Sequence, residues 1–134
     1  LDIGDLKNIH PANKQEVGKR LARLALVNNY NSDLNPLGPN LVNSTLMNSK
    51  VKLEFTNVSS GLVLKMNRGN EFEIANNSMD FIKAEVSVDV DNLFLWSQNV
   101  KNPKYVRYAW SDTPEATLFN GDGFPASSFM LEIK

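Results

Sequence analysis

One histidine occurs in the 134 residues, His10, within the stretch DLKNIHPANKQEVGKRLARLAL that runs from Asp5 to Leu26. An imidazole is near neutral at physiological pH and can act first as a base and then as an acid. Asp5 precedes it by five residues and Asp2 by eight. A carboxylate that accepts a hydrogen bond from the ring Nδ1–H fixes the tautomer and stabilises the imidazolium. The same placement, just before a helix, also suits a surface histidine that serves as an N-cap. Spacing alone leaves both readings open.

The chemistry needs a nucleophile, and the chain offers none in a suitable setting. There is no cysteine, so thiolate nucleophiles, disulfides and zinc–thiolate sites are excluded. One histidine also makes an all-protein catalytic zinc site an unexpected reading, and no cofactor is expected. Ser59, Ser60, Ser127 and Ser128 read as turn or strand-edge residues; none stands in a G-x-S-x-G context.

The elements that must carry His10 fall into three regions. Residues 1–11 form a short polar lead-in. Residues 12–29 read as an amphipathic helix, with Pro11 suited to a first helical position, where a missing N–H costs nothing. Val17, Leu21, Leu24 and Asn28 recur at helical spacing and Ala25 widens the stripe, while Lys14, Lys19, Arg20 and Arg23 lie mostly off it. Asn28-Asn29 is the expected stop. Residues 31–49 carry proline-containing turn signals without clean periodicity and read as a connector.

From Lys50 the period becomes two. VKLEF sets Val51, Leu53 and Phe55 against Lys52 and Glu54, and IKAEVSVDV alternates from Ile82 to Val90. Further strands are expected at 61–66, 71–75, 93–97, 104–110 and 128–133. They are separated by turns at Ser59-Ser60-Gly61, Arg68-Gly69-Asn70, Asp91-Asn92, Asn102-Pro103 and Gly121-Asp122-Gly123. Seven or so short strands at this spacing predict an antiparallel β-sandwich over 50–134. The sequence as a whole is therefore expected to be α+β.

Tyr105, Arg107, Tyr108 and Trp110 lie in one of these strands. Aromatic rings with a guanidinium can form a platform for an acidic sugar. Val106, Tyr108 and Trp110 sharing a core face, with Arg107 pairing a neighbouring acid such as Asp112 or Glu115, is the reading we favour, and Trp96 is read as core as well. Lys and Arg number 14 against 15 Asp and Glu, so no basic field points to nucleic acid or an anionic membrane. No apolar run approaches the roughly 18–20 residues of a membrane span. No signal peptide pattern is present, and a start at Leu1 rather than Met fits a processing site, a cloning boundary or a proteolytic cut. The sequons at Asn43, Asn57 and Asn76 read as chance in so asparagine-rich a chain.

DIGDLKNIHPANKQEVGKRLARLAL resembles the histidine block of the sialate O-acetylesterase-like group of SGNH hydrolases. The likeness continues through VKLEF, SSGLVLKM and EFEIANN to PKYVRYAWSDTPEATLFNGDGFPASSF, with its P-x-x-V-R-Y-A-W and N-x-x-G-x-P-A-x-x-F stretches. It spans essentially the whole chain. The resemblance implies the C-terminal part of a secreted or periplasmic carbohydrate esterase that removes O-acetyl groups from sialic acid or a related acetylated sugar. It implies that residues 1–30 are the His loop and last helix of an α/β hydrolase domain, 31–49 a connector, and 50–134 a β-sandwich domain. His10 matches the family histidine. Many SGNH hydrolases place Asp three residues before the His; here that position is Lys7 and the next is Asn8, so the acid is carried to Asp5, with Asp2 or a carboxylate of the N-terminal part as alternates. The serine and the oxyanion donors have no match here and are expected in the N-terminal part of the same enzyme, the expected partner. The other class of reading is a β-sandwich module without catalysis that binds carbohydrate or packs on a hydrolase.

Overall fold

The computed structural model describes residues 1–5, 7–66 and 69–134. The turn expected at Arg68-Gly69-Asn70 falls partly outside them. Among the described residues one helix, α1 (Lys14–Tyr30), precedes ten strands: β1 (Asn40–Met47), β2 (Lys50–Thr56), β3 (Leu62–Leu64), β4 (Phe72–Ala75), β5 (Ile82–Lys83), β6 (Glu85–Asp89), β7 (Asn92–Trp96), β8 (Tyr105–Tyr108), β9 (Leu118–Asn120) and β10 (Phe129–Glu132).

The alternation in VKLEF does what its period requires. Val51, Leu53 and Phe55 are buried while Lys52 and Glu54 are not. β2 pairs with β7 so that Leu53 faces Leu93 and Val51 faces Leu95, four side chains with no exposed surface. Full burial of such side chains stabilises by about 1.5–3 kcal/mol each. β7 and β2 are the centre of an antiparallel sheet ordered β1-β2-β7-β6, and a second antiparallel sheet is ordered β10-β8-β4-β5. Phe72, Ile74, Val106 and Tyr108 of the second sheet share one core with the inner face of the first. β3 and β9 make a separate two-stranded ribbon. The result is the expected α+β chain with an antiparallel β-sandwich.

Four expectations are corrected. The segment 31–49 is not all connector, because β1 occupies Asn40–Met47 and forms a hairpin with β2. Its two-residue turn, Asn48-Ser49, takes positive φ at both residues, the twist that hairpins favour. Second, IKAEVSVDV is not one strand. The chain leaves the second sheet after β5 and enters the first as β6, with Ala84 buried at the crossing. Third, the helix begins at Lys14 rather than 12. Asn13 is its N-cap, accepting the Glu16 N–H at 3.2 Å, and Asn31 closes it in the left-handed region. Fourth, Trp110 leaves the strand. Ala109 has φ 51°, which ends β8 and turns Trp110 outward while Val106 and Tyr108 stay in the core.

Arg107 pairs with an acid on the neighbouring strand, Glu73 (Nε to Oε2, 2.6 Å), its register partner on β4. Its guanidinium also covers the Phe81 ring at 4.0 Å. Trp96 is half-buried, with the Lys50 ammonium 4.0 Å from its ring centre. No helix among the described residues is long and apolar enough to cross a membrane.

Candidate active-site segment

His10 lies in a loop whose two ends are both fixed to α1. At one end the Asp2 carboxylate takes both terminal nitrogens of Arg20, at 2.9 and 2.5 Å. At the other, Asn13 caps the helix. Between them two Asx turns hold the backbone: Asp5 Oδ1 accepts the Lys7 N–H and Asn8 Oδ1 accepts the His10 N–H, both at 2.9 Å. His10 itself is exposed. Asp5 Oδ1 thus serves the backbone, and no hydrogen bond joins either aspartate to the His10 ring among the described residues. Asp2, the alternate acid, is committed to Arg20. Burial alone would raise its carboxyl, but the hydrogen bonds and charge of Arg20 outweigh that and hold it below the ordinary value.

The helix meets the sandwich through its arginines. No residue of α1 is fully buried. Glu16, Arg20, Arg23, Leu24 and Val27 are the half-buried positions, whereas Val17, Leu21 and Ala25 lie exposed. Arg20 also donates from Nε to Glu16 at 3.0 Å, one turn away. The guanidinium carbons of Arg20 and Arg23 stand 5.6 and 5.0 Å from the centre of the Phe124 ring, within cation–π reach. Arg23 reaches on to the Asn35 carbonyl at 3.1 Å, and its Nε is buried without a hydrogen-bond partner among the described residues.

Phe124 belongs to the NGDGFP turn that follows β9, and Asn120 organises that turn. The Asn120 side chain is almost wholly buried. It donates to the carbonyls of Leu37 and Asn57 at 3.0 and 2.9 Å and accepts the Phe124 N–H at 2.9 Å. One buried amide therefore joins the segment leaving α1, the β2–β3 turn and the Phe124 turn. Gly38 lets the segment leaving α1 approach the Phe124 turn: a Cβ there would lie 1.9 Å from the Pro125 carbonyl oxygen.

Sequence reasoning singled out His10, Asp5 and Asp2 as candidates and missed this socket. The signal available was the sequence N-G-D-G-F-P beside two arginines spaced three apart on the helix, which no periodicity isolates. Two grooves lie elsewhere. One of about 670 Å³ runs between the edge strands β1 and β10, and another of about 770 Å³ is lined by Asn76, Asn77, Asn99 and Lys104. Neither contains His10, Asp5 or Asp2. No cluster of three or more metal-ligating side chains occurs among the described residues.

No family model matches the chain, and no curated protein matches it. Among solved structures it is similar to a carbohydrate acetylesterase from Xanthomonas citri, with 34% sequence identity and a TM-score of 0.89. The alignment covers 97% of this chain and 31% of that enzyme, so the chain spans under a third of its length.

Proposed function

We propose that this chain is the C-terminal part of a carbohydrate O-acetylesterase and supplies its catalytic histidine. The supporting observation is the likeness to the Xanthomonas citri acetylesterase, which covers 97% of this chain at 34% identity. The histidine and R-Y-A-W blocks favour a sialate O-acetylesterase-like SGNH hydrolase acting on O-acetylated sialic acid or a related acetylated sugar, outside the cell or in a periplasm.

In this reading residues 1–30 complete a hydrolase domain, and the sandwich built on 50–134, extended by β1, stands beside it. The His10 ring takes the proton of a serine supplied by the hydrolase part as that oxygen attacks the acetyl carbonyl. It then returns the proton to the departing sugar oxygen, leaving an acetyl-serine that water hydrolyses by the same steps. Asp5 is the assigned orienting acid. Its Oδ1 is held by Lys7, and Oδ2 is the atom that would accept from the ring. Exposure of His10 and of Val17, Leu21 and Ala25 supports a surface that meets the hydrolase part, and weighs against a self-contained binding module.

The test is p-nitrophenyl acetate hydrolysis. The 134-residue chain is expected to match buffer, with or without His10→Ala. In the enzyme that contains both parts, His10→Ala is expected to lower kcat by several orders of magnitude and Asp5→Asn by less. Near-normal kcat in the His10 variant would refute the assignment.

A further inference from the structure

We infer that Phe124, acting through Arg20 and Asp2, positions the His10 loop, so that the sandwich sets the place of the proposed catalytic base. The inference rests on the proposed role of His10 and assigns Asp2 as an anchor rather than an orienting acid.

Three contacts in series carry it. Asn120 fixes the backbone of Phe124 from within the sandwich, at 2.9 Å. The Phe124 ring lies under the Arg20 guanidinium at 5.6 Å. Arg20 then offers its planar fork to both oxygens of Asp2, and the Asp2 and Arg20 side chains are only 14% and 23% exposed. A guanidinium has five donors in a rigid plane, so a bidentate carboxylate is fixed in angle as well as distance. Glu16 takes the Nε and prevents the fork from swinging away.

The consequence falls on His10. The described residues between Asp2 and Asn13 belong to a loop closed at both ends on the same helix, by Asp2 on Arg20 and by the cap at Asn13. Closing the loop removes most of the conformations open to a free terminal segment. Asn8, which holds the His10 N–H, sits within it. A catalytic base needs that restriction, because misplacement by about 1 Å costs on the order of a hundredfold in rate. The ring of Phe124 is thus a positioning element at the far end of the sequence from the histidine it serves.

The test uses the 134-residue chain, in which a single histidine gives a single set of His10 signals. Four proteins are compared with the parent by backbone 15N relaxation: Phe124→Leu, Asp2→Arg, Arg20→Lys, and the swap that combines Asp2→Arg with Arg20→Asp. The His10 amide of the parent is expected near the rigid limit, an order parameter of about 0.85, and that of Phe124→Leu and Asp2→Arg below about 0.6. Arg20→Lys falls between, since an ammonium keeps the charge but loses the fork. The swap restores opposite charges at 2 and 20 but takes the guanidinium off the Phe124 ring and away from Glu16. Its His10 amide is therefore expected to stay as mobile as in Asp2→Arg, and recovered order there would overturn the role of Phe124. Protected amides at Leu93 and Val106 identify variants with an intact core. If Phe124→Leu loses them, the Asp2–Arg20 swap decides. A His10 amide that is mobile in the parent, or equally ordered in every variant, overturns the inference.

In the enzyme holding both parts, Phe124→Leu is expected to lower kcat about a hundredfold with KM unchanged. Unchanged kcat in Phe124→Leu together with lost His10 order overturns the catalytic importance of the positioning. Full activity in His10→Ala refutes the proposed function instead, while the order parameters still judge the anchoring.

Discussion

The Arg23 guanidinium lies 5.0 Å from the centre of the Phe124 ring, and Arg20 joins it on the same ring. The helix therefore rests on the sandwich through cations, and its exposed Val17 and Leu21 point elsewhere. Usually an amphipathic helix turns its apolar stripe to the nearest sheet. Here the chain's own sandwich takes the charged stripe, because an aromatic ring and a backbone carbonyl suit guanidinium groups that keep part of their surface in water. Val17, Leu21 and Ala25 remain available to a second surface, while Leu24 is half-buried.

Tyr108 joins the core to the loop behind it. Its ring is fully buried and stacked on Phe72 at 4.6 Å, and its hydroxyl oxygen accepts the N–H groups of Thr117 and Leu118, both at 2.9 Å. Tyr108→Phe keeps the stacking and orphans two buried donors. Each orphan costs about 1–3 kcal/mol. Urea denaturation should show a lower midpoint with an unchanged slope. A midpoint equal to the parent's would mean that Thr117 and Leu118 find other acceptors.

Val90 is a β-branched residue at φ 51° in the two-residue turn between β6 and β7, and it is 66% exposed. A residue of this shape is strained there, by about 1–3 kcal/mol. Val90→Gly relieves the strain and returns about 0.5–1 kcal/mol of it as unfolded-state entropy. The carbonyl that accepts the Leu62 N–H at 2.8 Å is retained. Thermal melting should therefore rise by the equivalent of about 1 kcal/mol, and a fall would show that the side chain packs usefully.

The Asp2–Arg20 pair has a defined pH window. Arg20 holds the Asp2 carboxyl below its ordinary value of 3.8. A folded-state value below the unfolded one contributes stability that is present above pH 3.8 and lost as pH falls through the depressed value. Hydrogen bonding to Asp2, opposed by burial and aided by Glu16, raises Arg20 further, so it stays charged throughout. A partly exposed pair is worth about 1 kcal/mol or less, so global stability should barely respond. Local exchange at residues 2–5 should respond: it is expected to quicken, after correction for intrinsic rates, only below pH 3.8. Asp2→Asn should show the quickened exchange at every pH. The same acid-induced loosening in Asp2→Asn would assign the effect to another carboxyl.

The strands legible in the sequence were those whose alternation feeds one core. β2 and β7 declared themselves because alternate residues are fully buried on one face. The split of β5 from β6 was hidden for a related reason. Both sheets turn their inner faces to the same core, so a chain crossing at Ala84 keeps its period of two. β1 was hidden because it is an edge strand with only Ser44 buried, and a register shift between Leu41 and Asn43 breaks its alternation. His10 stood out in the sequence because it is the single histidine. Its anchorage did not, since Asp2, Arg20 and Phe124 are brought together only by tertiary folding.

Leu21 separates the stability of this chain from its assembly. It is 63% exposed, so Leu21→Glu removes little packing, and surface changes of this kind stay within about 0.5 kcal/mol. The isolated chain should keep its urea midpoint and the exchange protection of α1. In the proposed enzyme the same position, with Val17 and Ala25, faces the hydrolase part. Burying an unpaired carboxylate there is costly, and the apolar contact is lost as well. Size-exclusion chromatography with mass spectrometry should show the parent chain co-eluting with the serine-bearing part and Leu21→Glu eluting alone. A Leu21→Glu chain that is itself destabilised would mean that α1 buries this face against its own sandwich. One that still assembles would place the contact on another surface.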